Sequence, residues 1–151
     1  MGSLPNLAQG FNLNKRYAIP DRDGGSGAPT PIRVLIVEDD YFVGLVVENH
    51  LRDAGFEVVG IAGTAEEALK FAADMNPAIT IMDIRLAGNR DGIDAAIELF
   101  SRFSIRSIFA TAHSDLETRR RAEPAQPLGW LTKPYSPEEV ASAIKHALGS
   151  D

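Results

Sequence analysis

Four short apolar stretches of this sequence run into side chains that could share one piece of chemistry. Ile32–Val37 is followed by the acidic run Glu38-Asp39-Asp40, and Ala78–Met82 by a single acid, Asp83. The stretch Ile105–Thr111 ends in a hydroxyl, and Trp130–Thr132 is followed by Lys133-Pro134. Three or four carboxylates brought together repel one another unless a cation joins them. An all-oxygen set without Cys or His suits Mg²⁺ or Mn²⁺ better than zinc. A lysine and a hydroxyl beside such a cation would complete a site for a phosphoryl group: cations neutralise its oxygens and the hydroxyl donates to one. Asp83 would then be the nucleophile, forming an acyl phosphate.

Those residues meet only if the elements carrying them lie side by side. Ile32–Val37 is near-continuously apolar, as in a strand buried on both faces. Asp40–Ala54 has apolar residues at helical spacing (Phe42, Leu45, Val46, Leu51) and stops at Gly55. Phe56–Ile61 reads as a second strand. Thr64 and Glu67 form a capping box for a helix that ends near Pro77. The third strand, Ala78–Met82, leads into Asp83 and a loop over 85–92; Ile93–Phe100 is then helical. Ile105–Thr111 is the fourth strand, and Asp115–Glu123 a short helix cut off by Pro124 and Pro127. Trp130–Thr132 is the fifth strand, and Ser136–Leu148 the last helix, with Ser136, Pro137 and Glu139 at its start. Strands alternating with helices imply parallel βαβ units with right-handed crossovers, hence an α/β, doubly wound five-stranded sheet. Ligands of such folds bind beyond the carboxyl ends of the strands, where the four chemical stretches end.

Composition narrows the field. The 151 residues are 44% hydrophobic and suffice for one domain. With 15 Lys+Arg against 21 Asp+Glu the net charge is −6, which argues against non-specific binding to nucleic acid or an anionic membrane. There is no cysteine, so disulfides, zinc–thiolate sites and cysteine nucleophiles are excluded. No apolar run approaches the roughly 18 residues of a membrane span, and no secretory pattern opens the chain. A cytoplasmic protein is the default expectation. Residues 1–31, with Gly24-Gly25-Ser26-Gly27 and Pro29-Thr30-Pro31, read as a flexible extension, native or appended; the folded domain is expected over 32–149.

The segments VLIVEDD, AITIMD, FATA and LTKPY, in this order on successive strand–helix junctions, resemble the CheY-like receiver domain of bacterial response regulators. The resemblance covers about residues 32–149. It implies a flavodoxin-like (βα)5 domain with strand order 2-1-3-4-5. In its terms Glu38 and Asp39 hold Mg²⁺, one through water, and the backbone carbonyl of Arg85 completes the shell. Asp83 accepts phosphate from a histidine kinase or histidine phosphotransfer protein, and Lys133 pairs with a phosphoryl oxygen. Thr111 moves its hydroxyl toward the phosphoryl group, and the aromatic at Trp130 rotates inward. Lys133–Pro134 is expected to be cis, and the signal to leave through the fourth helix, fifth strand and last helix, a face through which a homodimer could also form. The result is a phospho-acceptor regulator that assists its own phosphorylation and dephosphorylation. No DNA-binding output domain fits after Asp151, so a stand-alone receiver or one excised from a hybrid kinase is expected, with output through an unnamed protein partner.

The sequence departs from the commonest receiver pattern in three places: the loop IRLAGNRDG lacks Met-Pro and looks a residue longer, the fourth helix is short, and Trp replaces Tyr or Phe. FATA and Tyr135 resemble a proteobacterial subgroup. Other classes fit less well. An aspartate-nucleophile phosphatase wants an acid two residues after the nucleophile, where Arg85 stands. A flavodoxin-like cofactor binder would meet the repelling Glu38-Asp39-Asp40. Structural roles stay open for single residues: a helix start for the first acids, a strand end for Thr111, a core or interface position for Trp130, packing or a partner surface for Tyr135, a solvated face for Arg119-Arg120-Arg121. His50, His113 and His146 read as surface or packing residues.

Overall fold

The computed structural model describes residues 30–149; apart from Thr30 and Pro31, the extension expected over 1–31 lies outside them. Among the described residues five strands alternate with five helices: β1 (Arg33–Val37), α1 (Tyr41–Asp53), β2 (Glu57–Ala62), α2 (Ala65–Met75), β3 (Ile79–Asp83), α3 (Gly92–Phe103), β4 (Arg106–Thr111), α4 (Leu116–Ala122), β5 (Gly129–Thr132) and α5 (Pro137–Ala147). A single 3₁₀ turn, Glu123–Ala125, follows α4. All strand pairs are parallel, in the order β2-β1-β3-β4-β5. The doubly wound expectation and its strand order therefore hold.

Strand alternation divides the apolar runs between two cores. Leu35, Val37, Met82 and Phe109 face one side, covered by Ala65 and Ala68 of α2 and Ile93 and Leu99 of α3. Val34, Ile36, Ile81 and Ile108 face the other, covered by Val47 and Leu51 of α1 and Val140 and Ile144 of α5. The central strands carry side chains into both, which is why they read as unbroken apolar runs. Two hydroxyls interrupt the apolar interior, Thr80 and Ser107 on adjacent strands. They lie 2.5 Å apart and satisfy each other, which avoids the roughly 1–3 kcal/mol cost of an orphaned buried polar group.

Side-chain caps set the helix starts, as expected at Ser136 and, at Asp40, beyond what was expected. Asp40 accepts from the N–H groups of Phe42 and Val43, and Ser136 and Glu139 form a reciprocal capping box. At α2 the expected box is shifted. Thr64 accepts from Glu67 N–H, but the Glu67 carboxylate accepts from Gly63 N–H at 2.8 Å. Helix α1 differs more. Its buried residues are Gly44, Val47 and Leu51, whereas Phe42 and Val46 are exposed. The helix sits so close to β2 that a Cβ on Gly44 would come within 2.8 Å of Ile61 Cγ2. Helix α3 is longer than the expected Ile93–Phe100, running on to Phe103, where Ser104 takes a left-handed cap. Lys133–Pro134 is cis, as expected.

One glycine ties the fold directly to the candidate site. Gly92 opens α3, and its N–H donates to Ile84 O at 2.7 Å. A Cβ there would overlap the carbonyl oxygen of Asp83. The clash is with backbone, so no side-chain rotation relieves it. Gly92→Ala is expected to destabilise the domain by about 1–3 kcal/mol, read as a lower urea midpoint. An unchanged midpoint would show that the close approach constrains nothing.

Candidate functional site

Sheet register brings the chemical residues together. Val37 pairs with Met82, so the next residues of the two strands, Glu38 and Asp83, stand side by side. Asp83 pairs with Ala110, one step before Thr111, and Thr111 pairs with Thr132, one step before Lys133. The Lys133 N–H continues this ladder to Thr111 O at 2.9 Å. All four lie at the carboxyl edge of the sheet.

Glu38, Asp39 and Asp83 each offer an oxygen within 4.8 Å of the others. Glu38 and Asp83 are each only 6% exposed, whereas Asp39 is open to solvent. The Lys133 ammonium stands 3.1 Å from Asp83 Oδ2 and 3.8 Å from Glu38 Oε1. Burial pushes the Glu38 carboxyl up to about 7, and the charge of Asp83 adds to this; the Asp40 N–H and Lys133 pull the other way. One ammonium thus offsets only part of the repulsion among three acids. The remaining negative potential, presented by oxygen donors alone, fits a hard divalent cation. Asp40, the third acid of the run, is occupied as the α1 cap.

The other expected residues lie nearby in different roles. Arg85 N–H donates to Asp83 Oδ1 at 3.4 Å, and its side chain points to solvent. The Thr111 hydroxyl donates to His113 O at 2.9 Å and accepts from His113 N–H at 3.2 Å. His113 therefore acts on Thr111 through its backbone. Trp130 is half-buried and stacked on Phe109, with ring centroids 4.9 Å apart. Tyr135 packs against the α1–α5 core; burial raises its hydroxyl to about 12, helped by the charges of Glu38 and Asp83.

The arginine run of α4 is more than a solvated face. Arg121 pairs with Asp91 at 3.0 Å and Asp94 at 3.5 Å, and Arg119 stacks on Trp130. Sequence reading alone missed this, as it missed Gly92 and the outward Tyr41, Phe42, Val43 and Val46. Only the second had a local signal, a glycine where a loop enters a helix; the others depend on how elements pack.

Known proteins share this fold and sequence pattern. The chain is 37% identical over 121 residues to the transcriptional regulatory protein PdtaR of Mycobacterium tuberculosis, covering 80% of this chain and 58% of that protein. It is 34% identical over 117 residues to the phyllosphere-induced regulator PhyR of Methylorubrum extorquens, covering 76% and 43%. The chain therefore spans about half the length of these relatives. Among solved structures, a response regulator from Chloroflexus aurantiacus matches with a TM-score of 0.70 and 30% identity, over 80% of this chain and 99% of that one. The family model described as "Response regulator receiver domain" matches residues 34–145. That span takes in all five strands but for the first residue of β1, and it makes the chain a member of the response regulator receiver family.

Proposed function

We propose that this domain is a phosphorylation-dependent signalling switch whose acceptor is Asp83. The observation that carries the reading is the Lys133 ammonium, 3.1 Å from Asp83 Oδ2 inside the acidic cluster. The donor would be a phosphohistidine on a histidine kinase or phosphotransfer protein. A P–O bond to Asp83 forms as the P–N bond to the donor imidazole breaks, and the bonding pair leaves on the imidazole nitrogen. Lys133 pairs with a phosphoryl oxygen, and the Thr111 hydroxyl, freed from His113, donates to another. The exposed apolar face of α1 (Tyr41, Phe42, Val43, Val46) follows directly on the acidic run and offers the donor a docking surface.

Receiver domains generally bind Mg²⁺ through an acidic pocket, and the cluster here has the matching donors. Glu38, Asp39, Asp83 and the carbonyl of Arg85 would hold Mg²⁺, or Mn²⁺, with one acid acting through water. When bound, the cation neutralises the phosphoryl oxygens and the crowded carboxylates. Signal would pass through α4, β5 and α5 to a protein partner or a second copy of the domain. The same reading places the protein in the cytoplasm; no helix of the described residues is long and apolar enough to cross a membrane.

Two outcomes are expected. After incubation with acetyl phosphate and Mg²⁺, mass spectrometry should place a phosphoryl group on Asp83. Asp83→Asn should abolish it, and Lys133→Ala should slow its formation at least tenfold. Label retained by the Asp83→Asn protein would rule out the acceptor assignment.

The second concerns pH. Glu38 keeps its proton up to about pH 7 in the fold but only to 4.5 as a free carboxyl. The metal-free fold binds more protons than the unfolded chain between these values, so its stability falls as pH rises through that window. Mg²⁺ must displace the proton, so its affinity should drop about tenfold from pH 8 to pH 6. Calorimetric titration reads this, and an affinity independent of pH would exclude Glu38 as a ligand.

A further inference from the structure

The loop between β4 and α4 is held by a ring made of side-chain contacts and closed by the backbone at 109–111 and 113–114. Thr111 spends its hydroxyl on the backbone of His113, as donor and as acceptor. The next residue, Ser114, is gripped by Arg119: Nη2 donates to Ser114 Oγ at 3.2 Å, and Nε to Ser114 O at 3.4 Å. The same guanidinium lies 4.6 Å from the centroid of the Trp130 ring. Trp130 in turn stacks on Phe109, its register partner on β4 and two residues before Thr111. Beginning at Phe109, the ring passes through Thr111, His113, Ser114, Arg119 and Trp130, and closes on Phe109.

Helix α4 gives this ring a fixed mount. Arg121, half a turn from Arg119, is anchored to Asp91 and Asp94 at the start of α3. Asp115 caps α4 by accepting from Thr118 N–H at 2.8 Å. A loop gripped from a tethered helix moves only when the grip opens. A guanidinium suits this task because its planar fork can stack on an indole and hold two acceptors at once.

We infer that Arg119 is a positioning residue, a latch that clamps Ser114 against Trp130 and so keeps the Thr111 hydroxyl committed to the His113 backbone. The inference rests on Asp83 being the phosphoryl acceptor and Thr111 the responding hydroxyl. Phosphorylation must then open the latch before Thr111 can turn. Part of the acceptor's affinity for its ligand is used in opening it, and the binding-competent loop is a minority state until Arg119 lets go. A cation–π contact at an exposed site corresponds to about a two- to fivefold shift in such an equilibrium. An arginine that merely shields the indole would move neither Thr111 nor ligand affinity.

The test compares the wild-type domain with Arg119→Ala, Arg119→Lys and Arg120→Ala. The probe is beryllofluoride with Mg²⁺, an acyl-phosphate mimic that adds to a carboxylate. Two readouts are taken: beryllofluoride affinity, and the exchange rate of the His113 amide without ligand. Arg119→Ala is expected to bind beryllofluoride about two- to fivefold more tightly and to exchange the His113 amide faster by a similar factor. Arg119→Lys, which keeps the charge but loses the fork, should follow Arg119→Ala. Arg120→Ala, which removes a charge from the same helix outside the ring, should behave as wild type.

If the wild type binds beryllofluoride and Arg119→Ala changes neither readout, the latch is overturned and the acceptor assignment stands. Weaker binding by Arg119→Ala also overturns it. If no variant binds beryllofluoride but Arg119→Ala still speeds His113 exchange, the clamp on Thr111 is supported and the acceptor assignment fails.

Discussion

Repulsion among three carboxylates at the edge of a parallel sheet governs the rest of this domain. Glu38 and Asp83 are almost wholly buried, and Asp39 completes the cluster from the solvent side. A protein keeps such charges inside only when something opposes them. Lys133, the residue after β5, supplies part of the compensation to both Asp83 and Glu38. Burial raises the Glu38 carboxyl to about 7, so a proton there relieves more of the repulsion as pH falls below neutral. The frustration is local: unspent negative charge presented by oxygen donors beside one ammonium is what the proposed divalent cation and phosphoryl group would each require.

The scaffold serves that edge. Two apolar cores hold the central strands in register, and register alone sets Glu38 beside Asp83 and brings Thr111 within one step of it. The Thr80–Ser107 pair keeps β3 and β4 satisfied where the sheet is completely buried. Gly92 lets α3 start against the Asp83 backbone. On the other side of Thr111 the structure is less committed. The contacts that fix the β4–α4 loop are exposed or half-exposed hydrogen bonds and a single stacked cation, interactions weak enough to be exchanged. Rigid support under Asp83 and a breakable support under the Thr111 hydroxyl are the mechanical properties that the proposed switch requires.

Much of this was legible in the sequence. The buried strands announced themselves as apolar runs, because both faces of a central strand are covered. Their chemical residues stood out because each run ended in one. The caps at Thr64 and Ser136 followed from residue type, and only the Glu67 carboxylate chose a different partner. Helix α1 was misread because glycine carries no hydrophobic signal: Gly44 marks the buried face by letting α1 settle onto Ile61, so Phe42 and Val46 turn outward. The arginines of α4 were illegible for another reason. Their partners, Trp130, Asp91 and Asp94, are brought near by the tertiary fold, and no spacing along the chain encodes them.

The proposed cation site lies where the carboxylates of Glu38, Asp39 and Asp83 converge. Crystals soaked in Mn²⁺ should show one anomalous-scattering peak bounded by carboxylate oxygens of Glu38, Asp39 and Asp83, at oxygen–metal distances of about 2.0–2.3 Å for direct ligands. A peak at any other place, or an empty acidic cluster at saturating Mn²⁺, would contradict it.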